Sequence, residues 1–414
     1  YLDRENLILY YYPEKYIDPE NDVLEFGVLG GTNTAGAINV KNCSYITFDG
    51  LQIEKTYCSG IRLDSCSDIT VKNCYIHDVG GIGIQSENFG KRIVAENNTV
   101  ANCTDMCIQL NYQKWSPYPI EEWKNLEYTG NTIRNNHMYN AARGRYGMVY
   151  ASCLEGIGSV YEHNIVHGGI NSLASNNAPM AVIRYNELYN GVRETADAGA
   201  IYCGRRWQWY GAVTEYNYIH DIGDREFDAD NLVDCIFWDD SISGQTARYN
   251  ILRPNSKTRT YGIVSGGGRD NTITSNIIVD SAMSIDVQDR TTGWPDGRKD
   301  DWWEMLVSCV TDMKGSEYLK KFPQIERTYN EINADTQRHA FKPDYNNISN
   351  NVIVNAADIN YSNYEKNNTK TSIKQGNYVG KDTSIFVDPE NQDYRVKKEK
   401  KKEKTETKNM TCLL

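Results

Sequence analysis

The chain has 414 residues, 40% of them hydrophobic, and a formal net charge of −11. That much apolar material excludes wholesale disorder. The acidic balance speaks against nucleic acid as a partner, because phosphate binding needs clustered Lys and Arg. No run approaches the ~18 apolar residues of a membrane-crossing helix. Tyr1 opens in a strand-like stretch with no leader-like segment, which leads us to expect that the natural N-terminus lies upstream.

Read in chain order, one marker recurs: a short strand, an Asn, one further residue, then an aliphatic. After an early coil, ITFDGLQI (46–53), it gives ITVKNCYI (69–76), IVAENNTV (93–100), LEYTGNTI (126–133) and SVYEHNIV (159–166). It continues as VIRYNEL (182–188), VTEYNYI (213–219), TARYNIL (246–252), TITSNII (272–278) and NISNNVI (347–353). The slot holds Leu51, then Cys74, then Asn98, Asn131, Asn164, Asn186, Asn217, Asn250, Asn276 and Asn351. A second short strand is read after each marker, as in GIRLD (60–64), GAIYC (199–203), CIFWD (235–239), GIVSG (262–266) and MSIDV (283–287). Spacings of roughly 22 to 33 residues suit solenoid coils with loop insertions. Stacked coils place like residues about 4.8 Å apart, so Asn in one slot forms an amide ladder. Leucine-rich repeats need regularly placed Leu, and helical repeats need period 3.6; neither is present. The expected fold is all-β, a right-handed parallel β-helix.

The repeat breaks between about 290 and 345. Residues 302–332 have helical spacing and are read as one or two helices inserted before the last coil. The β-helix domain is expected to run over 1–395. Residues 396–414, with Lys397 to Lys404 interleaved with Glu, read as a solvated, disordered tail.

The 11 Cys form no CxxC pair and no regular framework, and several occupy repeat positions, so packed free thiols are expected. No cofactor is expected: a Ca²⁺ site needs six to eight oxygens, and no such set can be assembled by spacing. The 30 Tyr against 8 Phe suit half-wet strand faces, including sugar-binding ones.

Chemistry is sought where neighbouring coils bring side chains together. Glu194 and Asp197 precede strand 200–203, and Asp239 and Asp240 end strand 235–238, at comparable points of successive coils. Stacking is expected to bring these carboxylates within about ten ångströms, the range glycoside hydrolysis uses. Around them lie Tyr202, Arg205, Arg206, Trp207, Trp209 and Trp238, residue types that stack on sugar rings or bind carboxylates. Turns also favour Asp, so the same residues have a structural reading. His77, His167 and His220 each fall three positions after the slot, which points to packing, with His167 and His220 as the candidates for substrate contact. Arg269, in GGGRDN (266–271), is a candidate groove residue; no Lys-Ser/Thr follows to make a phosphate loop. Asp286 and Asp289 extend the acidic floor.

With these segments in view, the sequence resembles glycoside hydrolase family 141. The resemblance rests on YLDRENLILYYYP (1–13), DAGAIYCGRRW (197–207), NYIHDIGD (217–224), FWDDSISG (237–244), GGGRDN (266–271), SIDVQDR (284–290), KKFPQI (320–325) and FVDPENQDYRV (386–396), in the family's order across nearly the whole chain. It implies hydrolysis of glycosidic bonds in plant or host glycans, α-L-fucosides or xylan-like polymers. It places the catalytic carboxylates on Asp197 and Asp239, with Asp240 as substitute. The family pattern often has an acidic residue and Thr after the GR, where this chain has Arg206 and Trp207, so the subsite is expected to differ. The expected protein is a secreted or periplasmic monomer acting on an oligo- or polysaccharide. A polysaccharide lyase using Arg205, Arg206 or Arg269 as base and a non-catalytic glycan-binding β-helix are the rival readings.

Overall fold

A computed structural model describes residues 35–110, 120–144, 149–204, 207–223, 233–254, 260–289, 310–334, 342–361 and 372–397, with isolated positions elsewhere. Three parallel sheets of 11 strands each run side by side along the molecule. Every coil contributes one strand to each sheet in turn, as in Ser59–Asp64, Ser67–Lys72 and Tyr75–His77. Eleven coils stack from Gly36–Lys41 to Tyr378–Gly380. This is the right-handed parallel β-helix anticipated above. A parallel sheet of this kind is buried on its inner face and must be fed by a crossover, here the rest of the coil.

The core is built from columns of like residues. In the first sheet Ile38, Ile61, Ile84 and Ile108 lie in register, and the column resumes with Ile201, Ile236, Ile263 and Ile285. Between them stand Ser152 and Ala174. The volume they release is taken by Tyr161 from the second sheet, whose Oη lies 2.8 Å from Ser152 Oγ. Each buried Ile stabilises by roughly 1.5–3 kcal/mol, so the columns supply most of the driving force.

At the turn between the second and third sheets the amide ladder is continuous. Asn98 Nδ2 donates to Asn136 Oδ1, Asn136 to Asn164, and so on through Asn186, Asn217, Asn250, Asn276 and Asn351 to Asn377, at 2.8–3.1 Å. The fourth coil therefore places Asn136 in the slot, not Asn131. Asn131 caps the preceding turn instead, where its Oδ1 accepts from Ile93 N at 3.0 Å. The residue before each rung is left-handed, with φ from 53° to 58° at Asn73, Asn97, Asn135, His163, Tyr185, Tyr216, Tyr249, Ser275 and Asn350. Asn tolerates this conformation, whereas Tyr is costly there. Tyr185, Tyr216 and Tyr249 stack at 5.0–5.1 Å, a contact that offsets part of that cost.

Helices α1 (Ile120–Lys124), α2 (Glu317–Lys321) and α3 (Gln324–Ala334) lie outside the coils. The expected helical insertion is present, but it interrupts the tenth coil between Met283–Gln288 and Asn347–Ser349, and a further coil follows. Its helices dock on the corner between the first and second sheets. Tyr318 Oη donates to Gln208 O at 2.6 Å and accepts from Tyr210 N at 2.9 Å. The closing strands Phe386–Asp388 and Asp393–Val396 pair antiparallel, and Phe386 and Tyr394 cover Ile277, Val279, Val352 and Val354 on the outer face of the third sheet. The nine described cysteines are free. No helix among the described residues is long and apolar enough to cross a membrane.

Candidate functional site

The outer face of the first sheet is where the carboxylates gather. Each strand there bends once, so that two successive residues point inward, as Cys235 and Ile236 do. Outward positions flank the bend and form three columns. The first carries Ser172 in one coil and, further along, Gly199, Asp234, Tyr261 and Met283 in register. The second carries Cys153, Ser175, Tyr202, Phe237, Val264 and Asp286. The third carries Glu155, Asn177, Gly204 and Asp239. An outer face is normally wet, yet Glu155, Asp234, Asp239 and Asp286 are all buried, with Asp234 only 1% exposed. Buried carboxylates on a face the fold leaves free for ligand are unusual enough to mark a site.

A cavity of about 170 Å³ opens on this face, lined by Tyr150, Asn171, Ser172, Thr195, Ala196, Asp197 and Tyr202. Tyr150 and Tyr202 form its aromatic wall, stacked at 5.8 Å. Tyr202 is held from behind: its Oη donates to Asp239 Oδ2 at 3.1 Å, and Phe237 meets its ring edge-on at 5.5 Å. Two glycines of GAIYCG make the arrangement possible. A Cβ at Gly199 would lie 2.7 Å from Phe237 Cβ, and one at Gly204 would lie 2.9 Å from Asp239 Cβ and 3.0 Å from Tyr202 Oη.

The sequence pairing of Asp197 with Asp239 does not survive the register. Asp197 precedes Ala198, while Asp239 pairs with Gly204 at the other end of the same strand. Seven residues along a bent strand separate the two levels, at most about 23 Å in Cα position. Asp197 is instead two residues and one strand from Asp234, because Gly199 pairs with Asp234. That places the two Cα atoms about 8 Å apart. Asp197 is exposed, at φ 53°, and Asp234 is buried. Sequence reading missed Asp234: strict alternation in VDCIFWD puts it on the side of Ile236 and Trp238, and only the bend at Cys235 and Ile236 turns it outward. Asp240 turns the corner at φ 40°, donating its N–H to Asp239 Oδ1 at 2.8 Å.

The other expected contacts fall elsewhere. Trp207, 1% exposed, and Trp238, 2% exposed, belong to the main core with Trp209, so they cannot stack on a sugar. Trp238 points inward because it alternates with Phe237 and Asp239 on one strand. His167 and His220 end strands of the third sheet, a different side of the coil, and stack on Tyr189 at 4.7 and 5.0 Å. Arg269 is buried under α3, ion-paired with Glu331 and 5.1 Å over the Tyr345 ring, so it neither faces the groove nor can act as a base there. Asp286 does lie on the outer face, where its oxygens accept from Asn360 Nδ2 and Gln288 Nε2, each at 2.7 Å. Asp289 follows that strand. Arg205 and Arg206 lie outside the described residues.

Arg269 therefore anchors the insertion. Arg269→Ala should lower stability by about 2 kcal/mol in urea denaturation, less than the 3–5 of a fully buried pair, since Glu331 keeps 33% of its side chain in solvent.

Thiol chemistry is disfavoured at the site. Burial, and then the charge of Asp239, push the Cys203 thiol up, and burial with Asp234 does the same to Cys235. Burial and Glu155 act likewise on Cys153. A thiol kept protonated is a poor nucleophile. Among the described residues no three His, Cys, Asp or Glu are grouped to hold a metal.

A family model described as a right handed beta helix region matches residues 31–122. No curated protein matches. Among solved structures, the chain is similar to XylC in complex with xylose, with 14% identity and a TM-score of 0.37, over 82% of this chain and 53% of that one. It thus spans about half the length of that protein. It is also similar to a DFA-IIIase mutant from Arthrobacter chlorophenolicus A6 (12%, TM-score 0.38, 84% and 71%). A PL6 alginate lyase in complex with a trisaccharide gives 12% identity and a TM-score of 0.33, over 83% and 79%.

Proposed function

We propose that this β-helix is a glycoside hydrolase whose catalytic pair is Asp197 and Asp234, acting on a glycan laid against the outer face of the first sheet. The observation that supports the reading is the pair itself: Asp197, exposed on a cavity with an aromatic wall, and Asp234, buried on the neighbouring strand about 8 Å away in Cα position. Glycosidases divide acid and nucleophile or base between two carboxyls in different surroundings. Asp234, out of water, is the proton donor to the leaving oxygen. Asp197, open to solvent, attacks the anomeric carbon or activates a water. Tyr150 and Tyr202 offer ring faces to the sugar, and Asn171, Ser172 and Thr195 offer hydroxyl and amide groups.

The resemblance to glycoside hydrolase family 141 supports α-L-fucosides or xylan-like polymers as substrates, and with them a secreted or periplasmic location. Assays on fucosylated glycans and xylans test this: release of new reducing ends is expected, and inertness toward both classes would overturn the substrate assignment.

Asp239 becomes a positioning residue for Tyr202. Asp239→Asn retains an acceptor for the Tyr202 hydroxyl, so kcat should stay within about ten-fold of wild type, with the change mostly in KM. A loss as large as that of Asp234→Asn would restore Asp239 to the reacting pair.

A further inference from the structure

The cavity on the outer face of the first sheet is restrictive in what it offers a ligand. Asn171, which lines it, is only 6% exposed. Its Oδ1 accepts from Ser172 N at 2.6 Å. A backbone N–H can only donate, so that bond fixes which end of the amide is oxygen. The Nδ2 end has no partner among the described residues. A buried amide without a hydrogen bond is costly, and a ligand in the cavity would supply the missing acceptor. Two neighbouring hydroxyls do not compete for the role. Thr195 gives its proton to Ile170 O at 3.3 Å, and Tyr202 gives its own to Asp239 Oδ2 at 3.1 Å, so neither donates into the cavity. The segment that carries Asp197 is tied to the one that carries Asn171: Val192 N donates to Asn171 O at 3.1 Å, and Glu194 N to Ile170 O at 3.0 Å. Donor and carboxylate are thus held in one frame across two coils, as positioned chemistry requires.

We infer that Asn171 determines which sugar the cavity accepts, by donating from Nδ2 to one hydroxyl oxygen of a neutral ring. The inference rests on the reading of this cavity as the sugar subsite. At about 170 Å³ the cavity is smaller than the roughly 300–1,000 Å³ of pockets for drug-sized ligands, so it takes about one ring. A sugar hydroxyl accepts and donates at once; it can receive the Nδ2 proton and give its own to Thr195 Oγ1 or to Asp197, which line the same cavity. A ring that lacks this hydroxyl leaves Nδ2 buried and unpaired, which is how a site built around a hydrogen bond rejects a deoxy analogue. A uronate is disfavoured as well, because the described lining residues include the Asp197 carboxylate and no Lys, Arg or His.

The test is calorimetric titration of the full chain with methyl α-L-fucoside, methyl β-D-xyloside and methyl β-D-glucuronide. The expected result is that the wild type binds one equivalent of a neutral glycoside and does not bind the glucuronide. Asn171→Asp keeps the acceptor for Ser172 N, so it should melt as the wild type does while its affinity falls by about ten-fold or more. Asn171→Ala, which adds no charge, should lose affinity in the same direction. Monodeoxy analogues of the bound glycoside identify the hydroxyl: the analogue without it should bind the wild type and both variants about equally, a pattern that a merely structural Asn171 would not give. The inference is overturned if the wild type binds neither neutral glycoside, if it binds the glucuronide as tightly, if both variants bind as the wild type does, or if every monodeoxy analogue loses affinity equally on substitution. None of these readouts needs turnover, so full activity in Asp234→Asn would overturn the catalytic pair and leave the role of Asn171 standing.

Discussion

Asp234→Asn should reduce kcat on the cleaved glycan by about 10²–10⁴-fold, the span of a positioned general acid, with little change in KM. Asparagine keeps the shape of the side chain, so the buried position stays filled while the transferable proton is lost. Asp197→Asn should lose a similar amount, because an amide neither attacks nor accepts a proton from water. The two losses should not add, since each variant already lacks one half of a concerted step. Azide or formate offered to Asp197→Asn can restore turnover by replacing the lost nucleophile. Offered to Asp234→Asn, it should do little with a poor leaving group. Kinetics on both variants, with wild-type melting curves as the check on folding, distinguish this pair from Asp197 with Asp239.

The second large effect is on stability. Asn217→Ala should destabilise the protein by about 3–5 kcal/mol, a large share of the ordinary stability of a domain. Asn217 Oδ1 accepts from Asn186 N at 3.1 Å and Asn186 Nδ2 at 2.8 Å, and its Nδ2 donates to Ile183 O at 3.0 Å and to Asn250 Oδ1 at 3.0 Å. Alanine leaves two donors and a carbonyl without partners in a buried turn, and each such group costs about 1–3 kcal/mol. Asn217→Asp should also destabilise, because a carboxylate accepts but cannot donate to Ile183 O. A drop in Tm measures both. Unchanged melting in Asn217→Ala would mean that the isoleucine columns alone hold the coils in register.

The coil repeat was legible because the ladder residue and the aliphatics beside it recur at fixed offsets, and stacking rewards identity at each offset. It slipped at the fourth coil, where Asn131 and Asn136 both follow strand-like stretches and both cap a turn; only the register with Asn98 tells them apart. The strand Ser172–Asn177 was missed because Ser, Ala and Asn dominate it, and its inward Ala174 makes room for Tyr161. The site was legible in part. Tyr202, Asp239 and Asp286 lie in outward columns of the first sheet, and Asp197 lines the cavity that opens there. Which of them face one another was not, since position along a strand separates residues by about 3.3 Å each while adjacent coils are only about 4.8 Å apart. A carboxylate in the next coil therefore outranks one at the far end of the same strand. Trp207 and Trp238 were assigned to the sugar by residue type; the bend at Cys235 and Ile236, which turns Trp238 inward, leaves no mark in the sequence pattern. Arg269 gave no sign in the sequence of its partner Glu331, 62 residues away and on the inserted helix.

A glycosidase built on Asp197 and Asp234 is recognised by its products. Wild type and Asp234→Asn are incubated with the same fucosylated, xylan and pectic glycans, and reducing ends and unsaturated-uronate absorbance are read together. The wild type should release new reducing ends without unsaturation, and the variant should lose about 10²–10⁴-fold in rate. Unsaturated products, or equal hydrolysis by both proteins, would contradict it.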